Sequence, residues 1–191
     1  VVLVDLGSSF LELGPRCLSC PSRLLSEWPK FQKPRHTAKD WEKLLNQHGG
    51  QFWDLASYNQ SQVEFTVLAN PSRVDGWWTP LYSAQDYYEN SGGWVDNIGR
   101  ALGTDPARYA IDSFCSLKAN APFCFLLWTQ YTRLITVTNV KGRGGQTYGL
   151  PLALNTYTLP SFSPTMSLVQ EDATDSGAIS VINHEFGHQL G

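Results

Sequence analysis

No apolar run in this chain approaches the roughly 18 consecutive positions that a membrane-spanning helix needs, so no span is expected. Charge of one sign is also missing. The 14 Lys and Arg stand against 17 Asp and Glu, a net charge of -3, and no basic block stands out. Such a surface offers no electrostatic grip on nucleic acid or an anionic membrane, and neither is expected as a partner. There is no repeat and no low-complexity tract. G-x-S-x-G, P-loop, G-x-G-x-x-G and EF-hand patterns are absent as well. Gly142-Arg143-Gly144-Gly145 comes nearest to a phosphate loop and reads as a flexible turn. What remains, 42% hydrophobic and 16% charged residues over 191 positions, is the composition of one globular domain with a real core.

Cysteine is scarce but even in number, as Cys17-x2-Cys20 and Cys115-x8-Cys124. The second spacing does not fit a structural zinc site. Two local disulfides, and with them an oxidising, extracellular compartment, are the expectation; buried free thiols are the alternative. The sequon Asn59-Gln60-Ser61 permits glycosylation in a eukaryotic source. Val1 to Leu6 is apolar but lacks the basic flank and cleavage region of a signal peptide, and it reads as a strand. Any targeting segment is therefore expected to lie outside this chain.

Local patterns give an interspersed order of helices and strands. Gly14 to Pro34 is expected to be a loop. Thr37 is a good N-cap for a helix over Ala38 to His48, with Trp41, Leu44 and Leu45 on one face and Gly49-Gly50 as its stop. Phe52 to Tyr58 reads as a further helical turn. Gln62 to Leu68 alternates apolar Val63, Phe65 and Val67 with polar neighbours, as a half-buried strand does. Asn70-Pro71-Ser72 and Asp75-Gly76 mark turns. Ser83 to Tyr88 and Trp94 to Leu102 read as helices, Phe123 to Trp128 and Leu134 to Val140 as strands, and Thr147 to Leu159 as extended. Ser176 to Leu190 is the last helix, entered at Ser176-Gly177. The fold class expected is α/β, with α+β possible: a mixed twisted sheet, packed helices, and the active-site helix at the C-terminal end. The seven tryptophans are expected in the core and in cleft walls.

That last helix holds the chemistry, in His184-Glu185-Phe186-Gly187-His188-Gln189-Leu190-Gly191. Positions i and i+4 of a helix lie one above the other, so His184 and His188 can turn one imidazole nitrogen each toward one ion about 2 Å away. Glu185 stands beside them, placed to take a proton from a water that zinc acidifies to a pKa of about 7. Two ordinary histidines on a helix flank are the plain alternative, as is a non-catalytic module or pseudoenzyme that keeps a metal-like helix. His36 and His48 have no partner at metal-site spacing and read as surface or capping residues.

The eight residues from His184 to Gly191 resemble the metzincin signature H-E-x-x-H-x-x-G-x-x-H. The glycine three residues after His188 suits a sharp helix stop, where a Cβ would clash, and it speaks against a gluzincin. The stretch from Phe52 through Trp77 to Tyr87-Tyr88 is similar to peptidases of the immune-inhibitor-A type. The resemblance implies a secreted zinc endopeptidase acting on a protein or peptide substrate. Zn2+ would be its cofactor, His184 and His188 metal ligands, and Glu185 the general base. It also implies that residues 1–191 form one domain, the N-terminal part of a metallopeptidase catalytic domain. The third zinc ligand and the methionine turn would come from a C-terminal continuation or a second chain, because the one methionine, Met166, precedes the helix. Thr147 to Asn155 becomes the candidate edge strand for substrate pairing, with Pro151 suited to an edge, and an ordinary surface strand is the equal alternative. Pro15-Arg16-Cys17 resembles the start of a cysteine switch, but Leu18-Ser19-Cys20 follows it and a disulfide loop fits better.

Overall fold

A computed structural model describes residues 1–5, 33–79, 107–120, 122, 124, 131–139, 144–147, 164–171 and 174–190. The expected helices over Ser83 to Tyr88 and Trp94 to Leu102 lie outside these residues. So do Cys17, Cys20 and nearly all of the Gly14 to Pro34 loop.

The described chain is α/β. Three parallel strands, β1 (Val2–Val4), β2 (Arg133–Thr138) and β4 (Thr165–Gln170), and one antiparallel strand, β3 (Gly145–Thr147), form a sheet of order β1-β2-β4-β3. β2 sits between β1 and β4, and its Leu134 to Thr138 are all buried. Parallel strands covered on both faces carry apolar and β-branched residues without clean alternation, as Leu-Ile-Thr-Val-Thr does here.

Register decides which side chains share a face. Leu3 pairs with Val137, Val137 with Val169, Ile135 with Ser167, and Thr147 with Ser167. Side chains directly opposite one another point the same way. One face of the sheet therefore presents Leu3, Ile135, Val137 and Val169 together with Ser167 and Thr147. The helices α1 (Ala38–Leu44), α2 (Gln51–Ala56) and α4 (Asp175–Leu190) belong to this side, where Trp41, Leu45, Phe65, Trp77, Ile182 and Phe186 complete the core. Val2, Val4, Leu134 and Met166 are also buried, and a helix over residues 107–115 (α3) sets Tyr109 edge-on against Trp78.

Helix α1 begins as expected. Thr37 accepts a hydrogen bond from the Asp40 backbone N–H at 3.2 Å, and Asp40 accepts one from the Thr37 N–H at 3.2 Å, a full capping box. The expected stop at Gly49-Gly50 is not there. Both glycines carry on through a π-helical turn (Leu45–Gly50) directly into α2, with Gly50 at φ -58 and ψ -49. Close packing explains them instead. A Cβ on Gly49 would sit 3.1 Å from the Phe65 ring and 3.2 Å from the Asn183 side chain, and one on Gly50 would sit 2.9 Å from the Val63 carbonyl. The true stop is Ser57 followed by Tyr58 and Asn59, both at positive φ (55 and 60).

Gln62 to Leu68 has the expected alternation, with Phe65 and Val67 buried, but it forms no ladder. It touches the sheet through a single parallel bridge from Leu68 to Val2. Residues 122 and 124 are helical, which corrects the strand expected over Phe123 to Trp128 at Cys124. Cys124 pairs with Cys115 across the end of α3 in a disulfide, the second of the two local pairings expected. Strand β4 was not foreseen. Of the tryptophans, Trp41, Trp77 and Trp78 are core residues.

Candidate active site on the last helix

Helix α4 opens one residue earlier than expected. Thr174 is its cap, accepting from the Gly177 N–H at 3.1 Å, and its carbonyl accepts from Ala178 N–H at 3.0 Å. Asp175 follows in the first turn, where a negative charge suits the helix dipole. It also ties the helix to the segment before α1: His36 Nε2 lies 2.8 Å and Arg35 Nη2 3.0 Å from Asp175 Oδ1. The hydrogen bond from His36, aided by the positive charge of Arg35, holds the Asp175 carboxyl below the ordinary carboxylate range. His36 is thus a structural partner. Its own carbonyl accepts from Trp77 Nε1 at 2.7 Å.

Three faces of α4 have separate duties. Ala178, Ile179, Ile182 and Phe186 are buried in the core, and Phe186 packs edge-on against Trp53 and Phe65 with ring centroids 5.5 and 5.4 Å away. His184 and His188 lie on an exposed face. Their Nε2 atoms are 3.1 Å apart and their rings are near perpendicular. Two nitrogens at that spacing can both lie at the roughly 2.0–2.1 Å that zinc–imidazole bonds require, so the pair fits one ion. Among the described residues, no group of three or more His, Cys, Asp or Glu side chains is arranged to hold a metal.

The histidines border an apolar cavity of ≈ 970 Å³ between α4 and the α1–α2 helix. Leu44, Phe52, Trp53 and Ile179 line it, and His48, on the π-helical turn, lines it as well. Among the described residues, Trp53 is a cleft-wall tryptophan.

Glu185 is elsewhere. It is 6% exposed, does not line that cavity, and faces the sheet edge. Thr147 Oγ1 lies 2.6 Å from Glu185 Oε2 and 2.9 Å from the Glu185 carbonyl oxygen. Thr147 in turn meets Ser167 Oγ at 2.8 Å, and Gln189 Nε2 donates to Ser167 Oγ at 2.5 Å and to the Leu134 carbonyl at 3.2 Å. Strand β3 passes close above: a Cβ on Gly145 would stand 2.7 Å from Glu185 Oε1 and 2.8 Å from its Cδ. Gly145 is therefore strand, fixed by close approach, and not the end of a flexible turn.

The structure thus brings His184 and His188 together and sets Glu185 on the neighbouring, buried edge of the same helix. Thr147 stands in β3, which is the edge of the described sheet; residues 148–155 lie outside the description. Sequence reading named Thr147 only as the start of a candidate edge strand and Gly145 only as part of a turn, and it missed Ser167 and Gln189 as neighbours of Glu185. The one available signal was Gln189, a polar residue inside the motif on the turn that faces the core. Comparison with family models, with curated proteins and with solved structures finds no match for this chain.

Proposed function

We propose that the chain carries two-thirds of a zinc endopeptidase centre of metzincin type, with His184 and His188 as metal ligands and Glu185 as general base. The supporting observation is the convergence of the two Nε2 atoms, 3.1 Å apart, on the exposed face of α4. When bound, zinc supplies Lewis acidity that makes water a nucleophile near neutral pH. The chain's own residues do the rest. The two imidazoles hold the ion, and the Glu185 carboxyl accepts the proton that the attacking water gives up and passes it to the leaving amine. The apolar cavity beside the histidines shelters an apolar part of the peptide substrate from water. The third ligand comes from a continuation of the chain or from a second one. On this reading the sheet and α4 form a metzincin-like N-terminal subdomain. The Cys115–Cys124 bridge supports a secreted protein, since disulfides persist in oxidising compartments.

One observation favours a second reading. Glu185 is buried and hydrogen-bonded away from the cavity, as it would be in a non-catalytic module that keeps the metal-like helix. Glu185→Gln separates the two. A peptidase loses hydrolysis of casein by at least about 10²-fold while keeping its zinc; an undiminished rate removes the general-base role.

A further inference from the structure

We propose that Thr147, backed by Ser167 and Gln189, is the positioning residue that aims the Glu185 carboxyl. This rests on the peptidase reading above. The direction of the hydrogen-bond chain follows from donor accounting. The Leu134 carbonyl can only accept, so the Gln189 atom facing it is the amide nitrogen, and the same nitrogen's second hydrogen goes to Ser167 Oγ. The single Ser167 hydroxyl hydrogen then goes to Thr147 Oγ1 at 2.8 Å in preference to the Glu185 carbonyl at 3.5 Å. Thr147 has one hydrogen left, and the shorter of its two contacts, at 2.6 Å, is to Glu185 Oε2. Gln189 to Ser167 to Thr147 to Glu185 is thus a one-way chain of donors ending on a carboxyl oxygen.

Each link is set by the fold. Thr147 and Ser167 are direct partners in the β3–β4 register, so both hydroxyls point toward α4. A one-residue slip of β3 would turn Thr147 to the opposite face. Gln189 lies one helical turn after Glu185, on the same face of α4. The backbone of Gly145 closes over the carboxyl from above. Glu185 is therefore held on two sides, by a hydroxyl and by a strand, and is not free to choose its orientation. The hydroxyl contacts of Thr147 go to Ser167 and Glu185, with neither histidine among them. Its loss should consequently change proton transfer and leave metal holding alone.

The test compares Thr147→Val, which keeps the shape and removes the hydroxyl, with Thr147→Ser, which keeps the hydroxyl. Both are made in the zinc-loaded protein with the segment that supplies the third ligand present, and assayed on a mixed pool of quenched-fluorescent peptides. Thr147→Val should lower kcat about 10²-fold, the scale of a misplaced general base, with KM and zinc content unchanged. Thr147→Ser should recover most of that loss. A Val variant as active as the parent, or a Ser variant as impaired as Val, overturns the proposal. A second readout needs no activity. Thr147→Val should lower the urea midpoint of the parent more than that of a Glu185→Ala variant, which has no carboxyl left to orphan although the Ser167 contact is lost in both. Equal shifts in both backgrounds overturn the contact itself. If the parent cleaves none of the pool while the urea shifts remain coupled, the peptidase reading fails. The chain of hydroxyls is then a structural contact and the positioning role falls with that reading.

Discussion

Replacing Gly145 with alanine tests the geometry around Glu185 more sharply than any change at the histidines. The new Cβ would meet Cγ of Glu185 most closely and stand 2.7 Å from Oε1 and 2.8 Å from Cδ, against the roughly 3.5–4.0 Å at which non-bonded heavy atoms pack best. To reach contact distance, the carboxyl must retreat by about 0.7–1.3 Å. A 2.6 Å hydrogen bond from Thr147 does not survive such a shift. Leaving a buried acceptor without its donor costs about 1–3 kcal/mol, and forcing extra volume into a packed site costs about 1–3 kcal/mol more. The lost freedom of the unfolded glycine offsets about 0.4–1 kcal/mol. A net loss of about 1–5 kcal/mol follows, centred near 3 kcal/mol, and the central value lowers the melting temperature by roughly 6–12 °C for a domain of this size. Gly144→Ala is the control, because a Cβ there meets only the Gln170 side chain, at 3.2 and 3.7 Å, and that side chain can move. Its cost should stay under about 1 kcal/mol. Melting curves followed by circular dichroism measure both. If Gly145→Ala is tolerated as well as Gly144→Ala, β3 does not close over Glu185 as described.

Three further outcomes are expected. Phe186→Ala empties a ring site shared with Trp53 and Phe65 and should cost about 3–5 kcal/mol by urea unfolding, whereas Phe186→Leu should cost much less. Breaking Cys115–Cys124, whose partners are 9 residues apart, with a Cys115→Ser, Cys124→Ser pair should cost about 2–3 kcal/mol on loop entropy. Acid should destabilise the fold through Asp175, whose carboxyl is held below the ordinary carboxylate range by the hydrogen bond from His36. A depressed folded value means that this contribution is present above pH 3.8 and is lost as pH falls through the folded-state value. Melting temperature measured from pH 6 down to pH 2 should therefore fall less steeply at the acid end in Asp175→Asn than in the parent.

Local chemistry was legible where it is self-contained. Thr37 caps α1 within its own first turn, and His184 and His188 meet because helix geometry alone puts i beside i+4. Gly49-Gly50 was misread because a helix stop and a close helix approach use the same residue for different reasons; only the presence of Phe65 and Asn183 tells them apart. Strand β4 escaped because both Met166 and Ser167 are buried, so Thr165–Gln170 lacks the alternation that marks a half-buried strand. The surroundings of Glu185 were invisible for a third reason. Thr147 is 38 residues away and Ser167 is 18. Sheet register, which no local pattern encodes, delivers both hydroxyls to one carboxyl.

The most direct measurement is zinc binding per chain, by titrating zinc into the parent protein beside His184→Ala and His188→Ala variants. About one zinc in the parent, and its loss in either variant with the fold intact by circular dichroism, is the expected result. A folded parent that binds no zinc, or variants that bind it as well as the parent, would contradict a metal centre on this helix.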